Sequence, residues 1–263
     1  MKKKEFENRH YIIVGGTTGL GLSAALALKE AGAKVMVIGR NDESSKDALN
    51  LLGNDHLSFT GDATIESTID EVIDLSDKRF GKIDGLYHVA GGSGRKWGDG
   101  PLHELSLEGW DRTLQLNLTS MMLSNRGIIK YFLKKQQPGV ILNMGSVLGY
   151  SPSPKHFVTH AYAAAKSAVI GYSKSIASYY AKDNIRINVI APSLYSTPMA
   201  ERAMGDDVIQ NYLRTKQPLD GGRSGYPEDI DSAVLMFLSP KSKFTTGQVL
   251  AVDGGWTISE GQS

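Results

Sequence analysis

Near its start the chain reads Tyr11-Ile12-Ile13-Val14 and then Gly15-Gly16-Thr17-Thr18-Gly19-Leu20-Gly21. Four uninterrupted apolar residues describe a strand buried on both faces, as in a parallel sheet. Glycine stops that strand, an Ala/Leu-rich helical segment over 22–31 follows, Gly32 closes it, and Lys34-Val35-Met36-Val37-Ile38 supplies a second strand. This is a βαβ unit, whose crossover is right-handed. Glycines at 15, 19 and 21 permit the tight turn and close backbone approach that a pyrophosphate requires. The helix N-terminus beyond them presents unpaired N–H groups to the same place. Glycine also ends strands for purely structural reasons, but strand, triplet, helix and strand together indicate nucleotide binding through Gly15, Thr17, Thr18, Gly19, Leu20 and Gly21.

The alternation continues along the chain. Helices are expected over 43–52, 65–80 and 107–134, around Tyr162, and after Pro198 and Pro227; strands are expected over 57–60, 83–89, 140–144, 186–190 and 249–252, with a glycine-rich loop over 91–100. Seven strands separated by helices define a doubly wound α/β, Rossmann-like architecture: a seven-stranded parallel sheet with helices on both faces and ligands at the carboxyl ends of the strands. At 263 residues the expectation is one domain, 1–263, with 1–9 and 259–263 as tails. A net charge of +1 provides no global field for nucleic acid or an anionic membrane, so any anion site is local. With no cysteine there is no disulfide, thiolate metal site or thiol nucleophile. His156 and His160 stand four apart, but Pro152 and Pro154 and the lack of an acidic third ligand argue against a metal. The basic start lacks an apolar segment of signal-peptide length, which points to a cytoplasmic protein without a membrane span.

In Ala161-Tyr162-Ala163-Ala164-Ala165-Lys166-Ser167-Ala168, a phenol and an ammonium stand four apart in a helix-forming run and share one face. A free phenol with a pKa of about 10 is only ~0.1 % ionised near pH 7. Lowering that value by ~2 units takes ~2.7 kcal/mol of preferential stabilisation of the anion, within reach of a close lysine plus a second positive charge. Taken alone, the pair fits an ordinary helix surface as well as a proton-transfer site. The end of the second strand reads Gly39-Arg40-Asn41. In dinucleotide folds an acid there accepts hydrogen bonds from the ribose 2′-hydroxyl, whereas an arginine accommodates a 2′-phosphate; Arg40 without an acid therefore points to NADP(H). Arg95, Lys96 and Lys155 hint at an anionic substrate or carrier.

The Gly-x-x-x-Gly-x-Gly turn taken with Tyr162-x-x-x-Lys166 resembles the short-chain dehydrogenase/reductase family over nearly the whole chain, 3-oxoacyl-acyl-carrier-protein reductases in particular. The resemblance implies roles for matching positions. Asp62-Ala63 is similar to the adenine-contacting segment, and Ala90-Gly91 to the end of an Asn-Asn-Ala-Gly motif. Pro192, Thr197 and Met199 match the segment that holds the nicotinamide carboxamide. It implies hydride transfer between nicotinamide and a small carbonyl or alcohol substrate. Tyr162 would be the proton donor, Ser146 a second donor to the same oxygen, Lys166 the group that lowers the phenol and binds ribose, and Asn117 the holder of a water for proton resupply. It also implies a homotetramer. Enoyl-thioester reducers of the superfamily usually separate Tyr and Lys more widely. A sugar or polyol dehydrogenase and a non-catalytic NADP sensor are the alternatives, and Ser146 as an acyl nucleophile lacks the Gly-x-Ser-x-Gly elbow. The chain departs from the family pattern at Val14, at His88-Val89 in place of two asparagines, at Ser193, and in a lengthened 147–161 segment.

Overall fold

The computed structural model describes residues 4–260. Seven parallel strands form one sheet in the order β3-β2-β1-β4-β5-β6-β7. They are β1 (His10–Val14), β2 (Lys34–Gly39), β3 (Leu57–Thr60), β4 (Gly85–His88), β5 (Gly139–Met144), β6 (Ile185–Pro192) and β7 (Val249–Val252). Between them run α1 (Gly19–Glu30), α2 (Asp42–Leu52), α3 (Glu66–Phe80), α4 (Leu107–Leu114), α5 (Ser120–Lys135), α6 (His160–Tyr180), α7 (Glu201–Met204), α8 (Asp207–Lys216) and α9 (Asp231–Leu238).

The apolar run at 11–14 is buried on both sides because alternate residues feed different cores. Tyr11 and Ile13 join Ala24, Leu28, Ala48 and Phe237 beneath α1, α2 and α9. Ile12 and Val14 join Ile69, Ile73, Ile128 and Phe132 beneath α3 and α5. The chain runs outward from β1 to β3, returns to pair β4 on the free side of β1, and then continues to β7. The order reverses between β1 and β4, so a crevice opens at their carboxyl ends.

Two glycines shape the lip of that crevice. Gly15 has φ +83°, and a Cβ on it would stand 2.6 Å from the Ala90 nitrogen; a Cβ on Gly21 would stand 2.0 Å from the Gly15 carbonyl oxygen. The first turn of α1 thus packs directly on the end of β1.

Three expectations are corrected. The helix read as 107–134 is α4, a π turn at Gln115–Thr119, and α5; a single inserted residue leaves the apolar period almost unchanged, so the pattern hides it. Residues 4–9 are no tail. Phe6 is 2 % exposed and packs edge-on against Tyr11, its N–H bonds the Ala31 carbonyl, and Arg9 pairs with Asp84 at 2.7 Å. The aromatic ring at position 6 had apolar surface to bury and a gap beside α1 that received it. At the other end the Ser259 carbonyl accepts from the Lys216 ammonium. The remaining tail residues, 1–3 and 261–263, lie outside the described residues.

Candidate active site

A cavity of about 830 Å³ occupies the crevice. Its nucleotide end is built from the β1–α1 turn, where Gly15, Thr17, Thr18, Gly19 and Leu20 all face it. Gly21, expected among them, does not; it is buried against Gly15 and serves packing. Arg40 lines the wall beyond β2, beside Ser44, whose hydroxyl lies 3.3 Å from that of Thr17. Thr17 in turn fills the space over Gly39: a Cβ at 39 would stand 2.1 Å from the Thr17 hydroxyl oxygen. Any side chain at 39 therefore requires Thr17 to shift. Asp62 and Ala63 line the same end beyond β3, with one Asp62 carboxylate oxygen accepting from the Thr64 N–H at 2.8 Å.

At the other end, Ser146 directly follows β5 and its hydroxyl accepts from the Leu148 N–H at 3.2 Å. Tyr162 stands in the first turn of α6 and Lys166 one turn later, and all three residues line the cavity. The Lys166 Nζ is 5.6 Å from the centre of the Tyr162 ring and donates to the Met144 carbonyl at 2.9 Å. Burial pushes the Tyr162 phenol above its ordinary value, with the Ser146 hydroxyl acting the other way. Burial also brings the Lys166 ammonium down to about 8. Ala90, Gly91, Pro192, Thr197 and Met199 line the stretch between the two ends.

Asn117 is held by the backbone around it. It is 1 % exposed in the π turn, and its amide donates to the carbonyls of Gly92 and Thr113, both at 2.9 Å, while its oxygen accepts from the Gly92 N–H at 3.0 Å. Both donors are engaged by backbone, so the side chain clamps the loop after β4 and leaves one oxygen lone pair. Gly91 fits between this clamp and the lysine: a Cβ on it would stand 2.7 Å from Asn117 Oδ1 and 3.4 Å from Lys166 Nζ.

Asp99 touches the site's central helix, and the sequence did not single it out. It is 3 % exposed, and its two carboxylate oxygens accept from the N–H groups of Ala161 and Tyr162, each at 2.9 Å. A carboxylate from a distant loop thus caps the helix that carries the phenol. One aspartate in a glycine-rich loop has no sequence signature for such a bond across 62 residues.

The departures from the family pattern also find places. His88 is 1 % exposed, with Nδ1 2.8 Å from the Ser124 hydroxyl and Nε2 3.1 Å from the Ala90 carbonyl; burial chiefly, and the Lys166 charge next, lower it to about 3. It is a neutral strut tying β4 to α5. The Val14 carbonyl receives the N–H groups of both Val89 and Ala90, at 2.8 Å each, which joins the crevice strands without the two asparagines. Phe157, from the lengthened segment, packs edge-on against Trp256 at 5.7 Å and lines the cavity with Leu148 and Leu194. His156 stacks against Tyr212 at 4.4 Å.

A doubly wound sheet with a glycine turn at its switch point, and a serine, tyrosine and lysine around one crevice, defines a nucleotide-dependent α/β enzyme. A family profile described as enoyl-(acyl carrier protein) reductase matches residues 14–257. The chain is 33 % identical over 258 residues to 2-(S)-hydroxypropyl-CoM dehydrogenase 3 of Xanthobacter autotrophicus, covering 95 % of this chain and 97 % of that protein. It is 32 % identical over 243 residues to the 3-oxoacyl-(acyl-carrier-protein) reductase of Homo sapiens, covering 92 % and 95 % respectively. Among solved structures, 3-ketoacyl-(acyl-carrier-protein) reductase of Brucella melitensis complexed with NADH superposes with a TM-score of 0.84 at 25 % identity, covering 96 % of this chain and 99 % of that one. The chain belongs to the short-chain dehydrogenase/reductase family, oxidoreductases that act on alcohols and ketones.

Proposed function

We propose that the protein is an NADP(H)-dependent carbonyl reductase or alcohol dehydrogenase, cytoplasmic and homotetrameric, whose preferred substrate is a 3-oxoacyl-thioester-type ketone. One observation carries the reading: Ser146, Tyr162 and Lys166 line the same cavity that begins at the β1–α1 glycine turn.

The residues present fit a nicotinamide nucleotide. Gly15, Thr17, Thr18, Gly19 and Leu20 line the cavity at the N-terminus of α1, whose first N–H groups suit a pyrophosphate, and Asp62 and Ala63 line the end where an adenine would lie. Arg40, Ser44 and Thr17 supply a cation and two hydroxyls for a 2′-phosphate, and Thr17 crowds Gly39, the position of the acid that a free 2′-hydroxyl would call for. When bound, the nicotinamide gives or takes the hydride at its C4.

Tyr162 donates its proton to the substrate oxygen as that oxygen becomes an alkoxide, and Ser146 donates a second hydrogen bond to the same oxygen. Burial keeps the phenol protonated, as an acid must be before it acts. Lys166 places a positive charge beside the phenolate that remains, and its other N–H bonds can reach ribose hydroxyls. Asp99 fixes the backbone of Tyr162, and Asn117 holds the Gly91–Gly92 wall against Lys166. Each donor aimed at the developing alkoxide contributes about 2.7–4 kcal/mol to the barrier reduction.

The apolar wall of Leu148, Phe157, Leu194 and Trp256 favours an acyl chain over a polyol. Enoyl-thioester reduction, the activity in the description of the matching profile, is the second reading. Two hydroxyl donors for one oxygen suit a carbonyl better. The test is a panel of acetoacetyl and crotonyl thioesters, simple ketones and polyols, each run with NADPH and NADH. Turnover of the 3-oxo thioester with NADPH is expected to lead. A lead for the crotonyl thioester, or NADH bound as tightly as NADPH, overturns the corresponding part.

A further inference from the structure

Arg95 lies in the short turn Arg95–Trp97 after β4, and Arg202 lies in α7 after β6. Both residues line the same cavity as Ser146 and Tyr162. They approach from two sides of β5, the strand that delivers Ser146. Arg9, Arg112, Arg126 and Arg223 each pair with a carboxylate. Among the described residues, neither Arg95 nor Arg202 has an ion pair or a side-chain hydrogen bond. Asp99 is the carboxylate that acts on Arg95, and both its oxygens accept from the α6 N-terminus. Burial, and then the charge of Arg202, hold the Arg95 guanidinium below its ordinary value, with the Asp99 carboxylate acting the other way, so two like charges share this rim. Lys96 lines the cavity on the same turn, with its ammonium 4.3 Å over the Trp97 ring. Lys155, the third cation expected here, is not part of the wall.

We infer that Arg95 and Arg202 form an anion subsite at the substrate end of the crevice, which binds a phosphate, carboxylate or sulfonate carried by the ketone substrate. This rests on the carbonyl-reductase reading and narrows it: the substrate has a reducible carbonyl at Ser146 and Tyr162, an apolar stretch along Phe157 and Trp256, and an anionic end. The coenzyme's distinguishing phosphate is accounted for elsewhere. Arg40 follows β2, on the other side of the switch point between β1 and β4. A guanidinium binds an oxyanion through a planar fork, so an anion held by both arginines loses charge-assisted bonds when either is removed.

The experiment compares acetoacetyl-coenzyme A with the uncharged acetoacetyl-N-acetylcysteamine, and 4-oxopentanoate with its methyl ester, on wild type, Arg95→Gln, Arg202→Gln and the double variant. Loss of one charged partner is expected to raise KM for the anionic member of a pair on the order of tenfold to a hundredfold more than for its neutral mate. A response confined to the coenzyme A pair identifies phosphate as the anion, and one confined to 4-oxopentanoate identifies a carboxylate; both support the subsite. Equal rises within each pair, no rise, or a matching loss of NADPH affinity by fluorescence titration overturn it, the last by assigning the arginines to the coenzyme. If no ketone is turned over, the carbonyl-reductase reading fails by itself. Calorimetric binding of coenzyme A to the NADPH-loaded proteins then decides the subsite: it stands if the double variant binds on the order of tenfold more weakly and falls if affinities match.

Discussion

Tyr162 combines a buried phenol, a serine hydroxyl beside it and an ammonium one helical turn away. Tyr162→Phe removes the proton donor and almost no volume. We expect turnover to fall about 10²- to 10⁴-fold with the NADPH dissociation constant nearly unchanged, and wild-type turnover would refute the assignment. Lys166→Ala is expected to lower turnover and coenzyme affinity together if, as proposed, one ammonium serves both phenol and ribose. His88 provides a pH test of stability. Its folded value of about 3 lies below an ordinary histidine's, so the neutral form is favoured by folding. That contribution is fully present above about pH 6.5 and is lost as pH falls from there toward 3, at roughly 1 kcal/mol between pH 6 and 5. Urea unfolding of wild type and His88→Asn at several pH values checks it; equal slopes in the two proteins exclude His88 as the source.

Between elements, the strongest functional link is the Asp99 cap on α6. It joins the loop after β4, which carries Arg95, to the backbone of Tyr162, the proposed proton donor. Asp99→Asn keeps the shape but loses the charge and one acceptor, and is expected to cost about 1.5–3 kcal/mol of stability. A positioning role further requires that the residual enzyme show a lower kcat with a shifted pH profile at little change in coenzyme affinity; an unshifted profile with wild-type kcat would leave Asp99 purely structural. The sequence made the elements legible where the period was strong. The strands at 57–60 and 249–252 coincide with β3 and β7, and the glycine turn, Ser146, Tyr162 and Lys166 all meet at one cavity. It was silent where function depends on pairs remote in sequence. Asp99 with Tyr162, Thr17 over Gly39 and Arg202 opposite Arg95 leave no local pattern, and the π turn holding Asn117 is invisible to a helical period. Phe6 was misjudged because six polar neighbours, Lys2, Lys3, Lys4, Glu5, Glu7 and Asn8, made its stretch look solvated.

Across the whole molecule, apolar surface gathers near the β7 edge of the sheet. Phe244 and Ile258 flank that strand fully or nearly fully exposed, at 105 % and 89 %, and Leu250 within it is partly exposed. Tyr179 on α6 is exposed, whereas Ile176 and Tyr180 are partly buried and pack against the core. We expect this surface to be covered by further copies of the chain in a homotetramer. Light scattering that reports a single-chain particle at micromolar concentration would overturn that, and Phe244→Asp is expected to shift the assembly toward smaller species. The Thr17 side chain seated over Gly39 also fixes the order in which this protein can change. An aspartate introduced at 39 meets the Thr17 hydroxyl before it meets any ligand, whereas shortening Thr17 first opens the room it needs. The two positions are therefore coupled: a mutational route toward an acidic β2 terminus that changes position 17 first avoids this crowding, whereas the reverse order meets it at once.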